Sequence, residues 1–284
     1  MKKLLVFQSD FGLVDGAVSA MEGVALKEDV DLKIHHLTHD ITPYNIFEAS
    51  YRLYQTVEYW PNDTVFVSVV DPGVGTTRKS VVAKTVNGHY IVTPDNGTLT
   101  HLSHYVGIEA VREIDKGLYR KESQFSYTFH GRDVYAYTGA LLASGKIDFE
   151  SVGVELNVSD ITSLPLSDVV VEEGLVRGKV DILDVRFGSL WTNITRETFL
   201  SLNVDYGEKL EVTIFNNDTL VYQNQVVYGK SFGDVRLGSA ILYVNSLFKM
   251  GLAINQGSFA KAYNVGVGPQ WIVEIKKAWK KNMN

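Results

Sequence analysis

A layered α/β domain followed by a smaller all-β domain is the fold class predicted by this sequence of 284 residues. Three observations lead there. Short apolar runs alternate with stretches of helical period as far as about Ser151. Beyond Asn157 the helical period nearly disappears, and the apolar runs that remain are short and separated largely by Gly, Asn and Asp turns. The domains are expected at 1–158 and 168–284, with a linker at 159–167 that contains Pro165.

In the first domain Leu4–Gln8, Leu32–Leu37, Thr64–Val69, Ser80–Val86, His89–Thr93 and Glu109–Ile114 read as strands, and Val14–Lys27, Asn45–Tyr59 and Arg132–Ser144 as helices. In the second helix Ile46, Ala49, Leu53, Val57 and Trp60 recur at steps of three and four, and Thr42-Pro43 supplies a start signal. Strands alternating with helices build a layered sheet, and ligands of such sheets gather outside the carboxyl ends of the strands. Asp10 and Asp71 stand at such ends. In the second domain Val169–Val171, Leu175–Leu183, Lys209–Phe215, Thr219–Tyr228, Ser239–Val244, Leu252–Ile254 and Trp271–Ile275 read as the strands of a small barrel or sandwich.

Composition restricts the partner. With 45% apolar residues the chain can bury a large core. A net charge of −6 disfavours a nucleic-acid backbone, so a small molecule is expected instead. Cysteine is absent, which removes disulfides, thiolate metal sites and a cysteine nucleophile. The opening M-K-K-L-L-V-F is broken by Gln8-Ser9-Asp10 too early for a signal peptide, and no run approaches a membrane span. A soluble cytoplasmic protein is the expectation. The basic stretch Lys276-Lys277-Ala278-Trp279-Lys280-Lys281 reads as a solvated chain end.

The loop V-D-P-G-V-G-T-T-R-K-S at 70–80 is the most informative segment. Gly73 and Gly75 let the backbone fold tightly enough for Asp71 and Arg78 to meet. Its resemblance to a phosphate loop is superficial: the second required glycine would fall where Arg78 stands, and strand rather than helix follows. In F-H-G-R-D at 129–133, His130 precedes a helical run and would be presented at a strand-to-helix turn above the sheet edge. His35, His36 and His39 cluster with Asp40, but neighbours in a strand face opposite sides, and no zinc-type spacing supports a metal there.

Together S-D-F-G at 9–12, D-P-G-V-G-T-T-R at 71–78, F-H-G-R-D at 129–133, F-G-S-L-W-T-N at 187–193 and V-N-S at 244–246 resemble, in order and across both halves, the S-adenosylmethionine hydroxide adenosyltransferases. These adenosine-forming S-adenosylmethionine hydrolases are relatives of the bacterial fluorinase and chlorinase. The resemblance implies an N-terminal α/β domain, a C-terminal β-barrel, and a homotrimer with active sites at subunit interfaces. It implies Asp71, Arg78 and His130 as a triad around water, and no metal or cofactor. For the substrate it implies Asp10 on the ribose diol, with Asp15, Tyr44, Phe129 and Gly131 nearby. Asp184 would meet the methionine ammonium beside Asn245 and Ser246. Phe187 and Phe232 would sandwich adenine, with Ser189 and the backbone near Asn255 and Gln256 reading its edge. Trp191-Thr192-Asn193 would shape the barrel and support the loop from Asp184 to Ser189.

The halogenases carry aromatic residues where this chain has Asp71 and His130, and a serine at Gly131. A carboxylate at the mouth of a halide pocket would repel the ion by several kcal/mol at low effective dielectric, so water is the expected nucleophile. Leu247 stands where the fluorinase holds the methionine carboxylate with arginine, Tyr44 replaces a tryptophan, and Ser189 an asparagine. Two rivals stay open at this level: a halogenase on the same fold, and a non-catalytic nucleoside or S-adenosylmethionine sensor.

Overall fold

The computed structural model describes residues 3–277 and divides the chain into two compact units, the first ending at Leu164 and the second beginning at Pro165. In the first unit β1 (Leu5–Ser9), α1 (Ala17–Glu28), β2 (Ile34–Thr38), α2 (Ile46–Thr56), β3 (Val65–Val69), β4 (Ser80–Thr85), β5 (Tyr90–Pro94), α3 (Thr100–Tyr105), β6 (Ile108–Glu113), α4 (Tyr137–Ser144) and β7 (Glu155–Leu156) follow in order. The strands form one mixed sheet in the order β2-β1-β3-β5-β4-β6-β7. Strands β2, β1, β3 and β5 run parallel, while β4 pairs antiparallel with β5 and β6.

Alternation along the strands creates two cores. Leu5, Phe7, Val65 and Val67 pack with Met21 and Ala25 of α1 and Ala140 and Leu142 of α4. Val6, Phe66, Val81 and Ile91 turn the other way, onto Leu53 of α2 and Leu102 of α3. The chain therefore leaves β1 toward one face and returns to β3 from the other. That reversal opens a crevice at the carboxyl ends of β1 and β3, which pair side by side through Ser9 and Val69.

Element boundaries show where local signals yield to tertiary ones. Helix α1 starts later than its apolar periodicity suggests, because Val14 and Asp15 lie in the preceding loop. Helix α2 is capped by the Asn45 side chain, which accepts from Glu48 N; Thr42-Pro43 instead opens a turn in which Tyr44 adopts φ 67. The helix read at Arg132–Ser144 opens as a π turn over Gly131–Ala136. Helix α3, with its single short turn, has no counterpart among the sequence expectations.

The second unit contains β8 (Val170–Glu172), β9 (Leu175–Asp184), β10 (Ser189–Thr195), α5 (Arg196–Leu200), β11 (Lys209–Asn216), β12 (Thr219–Tyr228), β13 (Ala240–Val244), β14 (Lys249–Ile254), α6 (Phe259–Tyr263) and β15 (Gly268–Lys277). Seven strands close on themselves in the order β9-β10-β14-β13-β12-β11-β15, and β8 adds to the edge of β9. The expected barrel is thus present, closed around Val180, Leu190, Ile194, Val212, Leu252 and Val273. Strand β10 was not among the expected strands because Thr192 and Asn193 interrupt its apolar run. Both are buried and bonded: Thr192 Oγ1 donates to Met250 O at 2.8 Å, and Asn193 Nδ2 donates to Ser167 O at 2.7 Å. Lys276 and Lys277 end β15, and the remainder of the basic stretch lies outside the described residues.

Candidate functional site

Two cavities, one in each unit, contain most of the residues singled out in the sequence. In the first unit a cavity of about 400 Å³ is lined by Asp10 and Phe11 after β1, Tyr44 before α2, Asp71 and Val74 after β3, and Phe129, His130 and Gly131 before the π turn. The topology dictates this convergence, since Asp10 and Asp71 leave adjacent parallel strands at the same edge.

Asp71, Arg78 and His130 form one hydrogen-bonded cluster. Arg78 Nε donates to Asp71 Oδ1 at 2.8 Å, and Arg78 Nη2 donates to Asp71 Oδ2, giving a two-pronged ion pair. The same Nη2 lies 3.0 Å from His130 Nδ1, and Nη1 donates to Ser80 Oγ at 2.9 Å. Ser80 Oγ in turn lies 3.1 Å from the Tyr135 hydroxyl, and the guanidinium stands over the Tyr135 ring. Both charged side chains are nearly enclosed, with 11% of Arg78 and 6% of Asp71 exposed.

Electrostatics follow from this enclosure. Burial opposes the Arg78 cation, yet the Asp71 hydrogen bond and the Coulomb fields of Tyr135 and Asp71 leave its pKa raised. For His130, burial and then the Arg78 charge lower the pKa, more than the Asp71 and Asp133 carboxylates restore it. The imidazole is therefore neutral at pH 7. Arginine has only donors, so His130 Nδ1 accepts and the ring proton sits on Nε2.

The loop is buttressed from outside the cavity. Asn96 Nδ2 donates to Val70 O at 2.8 Å, and buried Asp133 accepts from Arg132 Nε at 2.8 Å and Nη2 at 2.7 Å. The π turn sets His130 and Tyr135 on one side, against Arg78. Gly131 is tightly confined: a Cβ there would come within 3.0 Å of the Phe11 ring, which packs edge-on against Phe129 at 5.8 Å.

Other predicted residues divide between site and scaffold. Asp10 lines the cavity and its Oδ2 accepts from Tyr44 N at 2.9 Å, while the Tyr44 side chain is 74% exposed. Asp15 does not line this cavity; its Oδ1 accepts from Ala17 N at 2.9 Å, within the turn that leads into α1.

In the second unit a cavity of about 720 Å³ is lined by Asp184, Arg186, Phe187, Ser189, Phe232, Ile254, Asn255, Gln256, Gly257 and Ser258. Phe187 and Phe232 are 68% and 46% exposed, so two aromatic faces are offered to a ligand. Phe232 leans on Tyr243 at 5.0 Å, and the Tyr243 hydroxyl accepts from Trp191 Nε1 at 3.1 Å, so Trp191 acts from behind the wall. Gly188 holds the loop shut with φ +70, where a Cβ would lie 1.9 Å from Ser258 Oγ. Asn255 faces the cavity, but its Nδ2 donates to Val235 O at 2.9 Å and its backbone O accepts from Gly238 N at 2.9 Å, so it braces the loop that carries Phe232.

Asn245 and Ser246 do not line this cavity. Asn245 Oδ1 accepts from Leu247 N at 2.9 Å and from Lys249 N at 3.1 Å, which makes it the keystone of the β13–β14 turn. Phe11, Val74, Thr128, Arg186 and Ser258 are lining residues that sequence reasoning missed. Phe11 lay inside the S-D-F-G motif and Ser80 ended the D-P-G-V-G-T-T-R-K-S run, so both carried a readable signal; Tyr135 carried none, because its place depends on a π turn. Among the described residues no group of three or more His, Asp or Glu side chains is placed to hold a metal ion.

An ionic cavity on the switch point of an α/β sheet, together with an aromatic cavity on a β-barrel, defines an enzyme of small molecules. Residues 5–153 match the SAM hydroxide adenosyltransferase N-terminal domain and residues 178–272 the C-terminal domain, and the chain belongs to this family. It is 36% identical to the (R)-S-adenosyl-L-methionine hydrolase of Methanocaldococcus jannaschii over 68% of each chain, and 31% identical to that of Thermus thermophilus over 92% of this chain and 96% of the relative. It is 28% identical to the fluorinase of Actinopolyspora mzabensis over 94% of this chain and 95% of the relative. The crystal structure of an uncharacterized conserved protein from Thermotoga maritima superposes with TM-score 0.88 at 34% identity, covering 96% of this chain and all of that one.

Proposed function

We propose that this enzyme cleaves S-adenosyl-L-methionine with water at the ribose C5′ carbon, giving adenosine and L-methionine. The observation that carries the reading is the pair Asp71 and His130 on the wall of the first cavity, both bonded to Arg78 behind it, where a halide would need an apolar, anion-friendly pocket. The hydrolase names of two relatives at over 30% identity agree with it.

The substrate sulfonium already makes methionine a good leaving group, so the chemistry needs neither metal nor cofactor. Water attacks C5′ in line with sulfur; the carbon–sulfur bond breaks, its electron pair stays on sulfur as a neutral thioether, and one water proton is released. In this arrangement Asp71 receives that proton. Arg78 fixes its carboxylate, while the outward lone pairs remain able to accept from water. Neutral His130 donates through Nε2–H to orient the nucleophile, and its Nδ1 anchors the guanidinium. Orientation of this kind supplies up to about 7–11 kcal/mol of the barrier reduction in favourable cases. Asp10 takes the ribose diol, Phe187 and Phe232 take adenine, and Asp184 the methionine ammonium. The family resemblance adds a homotrimer in which the ionic cavity of one subunit meets the aromatic cavity of a neighbour; sedimentation of the intact protein checks the trimer.

The deciding experiment incubates the enzyme with S-adenosylmethionine at high chloride and at high fluoride and identifies the nucleoside. Adenosine is expected in both. A 5′-halo-5′-deoxyadenosine as main product would assign a halogenase, and unchanged substrate despite tight calorimetric binding would assign a sensor.

A further inference from the structure

Outside the wall of the ionic cavity, four polar side chains from three elements form one continuous chain. Glu22 Oε1 of α1 lies 3.2 Å from His36 Nε2 of β2; His36 Nδ1 lies 2.7 Å from His39 Nε2; and His39 Nδ1 lies 2.7 Å from Ser9 Oγ at the end of β1. Ser9 is fully buried, and its hydroxyl oxygen also accepts from Phe11 N at 3.3 Å, bridging across Asp10. His39 grips the same turn a second time, its carbonyl accepting from Gly12 N at 2.8 Å.

The chain has one polarity when both rings are neutral. An ionised Glu22 only accepts, so His36 carries its proton on Nε2 and accepts at Nδ1. His39 then carries its proton on Nε2 and accepts at Nδ1, which leaves the Ser9 hydroxyl to donate to it and to receive the Phe11 N–H. Each donor meets one acceptor from the surface carboxylate to the backbone around Asp10. Packing alone would be served as well by apolar side chains, whereas this directed sequence sets where the Ser9 hydroxyl points and so the turn from which the Asp10 carboxylate projects.

We propose that Glu22, His36, His39 and Ser9 are a positioning relay that holds Asp10 in the orientation that binds the vicinal diol of a nucleoside. The proposal rests on the reading above, in which Asp10 takes the ribose.

The test uses the full-length protein and two probes, adenosine and 2′,3′-dideoxyadenosine, which lacks the diol. Calorimetry of the wild type should show a clear preference for adenosine. Ser9→Ala and His36→Leu should each reduce that preference about tenfold by weakening adenosine alone. His36→Gln, whose amide can accept from His39 and donate to Glu22, should retain it. If Ser9→Ala does not fold, the two half-exposed His36 variants answer the question by themselves. Preference unchanged in both Ser9→Ala and His36→Leu, or equal weakening of both nucleosides, overturns the relay. A wild type without preference overturns it too, by a distinguishable route, because the diol assignment of Asp10 has then failed.

Discussion

Replacing Asp71 by asparagine removes one charge from the enclosed cluster while keeping its shape. The Asn Oδ1 can still accept from Arg78 Nε, but its amide N–H₂ then opposes the Arg78 Nη2 that now meets Asp71 Oδ2. Arg78, only 11% exposed, is left with that one bond, Ser80 Oγ and His130 Nδ1. Breaking a buried pair by altering one partner costs about 3–5 kcal/mol, and the retained bond places this variant near about 3 kcal/mol. At about 2–4 °C per kcal/mol for a unit of this size, the thermal midpoint should drop by about 6–12 °C. Turnover should suffer separately, by about 10²–10⁴-fold, through loss of the proton acceptor. Circular dichroism melts, chromatographic assay of adenosine release well below the midpoint, and calorimetric adenosine binding divide the two effects. Affinity should stay within about tenfold, since the lost interactions concern the nucleophile. A folded variant turning over within tenfold of the wild type would falsify the role of Asp71. A parallel loss of affinity and turnover would make it a substrate ligand instead.

Three further outcomes follow from the same geometry. Because burial and Arg78 hold the His130 pKa below its ordinary value, protonation would set an Nδ1–H against the guanidinium; kcat/KM should therefore stay level from pH 8 downward and drop only below about pH 6.5. An acid limb centred above that value contradicts the neutral-ring assignment. Phe187→Ala and Phe232→Ala should each weaken adenosine binding by about tenfold or more, as loss of base stacking does, and calorimetry showing no change would leave adenine without its sandwich. His39 is lowered to about 4, by burial first, then by His36, with Asp40 opposing. The unfolded chain binds this proton near about pH 6.5, so stability should decline as pH falls from there to about 4, by at most about 3 kcal/mol. Urea melts of His39→Gln beside the wild type check this: the variant should lose less on acidification, with the neighbours Glu22, His36 and Asp40 unchanged around it. An identical acid slope would show that His39 is not the titrating group.

Much of the candidate site was legible because its signals are local. Gly73 and Gly75 between Asp71 and Arg78 announce a tight loop, and the two side chains do meet. The alternation of Leu5, Val6 and Phe7 describes a strand buried on both faces before any partner is known. Phe187, Ser189 and Phe232, distant in sequence, line one cavity. Where the structure adds to the sequence, the added partner is unmarked in the residue types themselves. Asp15 and Asn245 have side chains suited to a ligand, and each also accepts from a backbone donor within a few residues. Strand β10 escaped notice because buried Thr192 and Asn193 look like turn residues until their partners on β14 and in the segment before β8 are seen.

By itself the sequence determined the residue types, the strand and helix periods, and the loops that offer an acid, a base and an imidazole. Tertiary structure alone decided which atom of His130 faces Arg78, that a π turn rather than an α-helical one carries Tyr135 to the guanidinium, and that three histidines near β2 separate into a bonded pair and a ring lying against Trp60. The reason is physical. Period and turn chemistry act over a few residues, whereas tautomer, register and hydrogen-bond polarity are set by partners that approach only when the sheet and its two helical layers have closed.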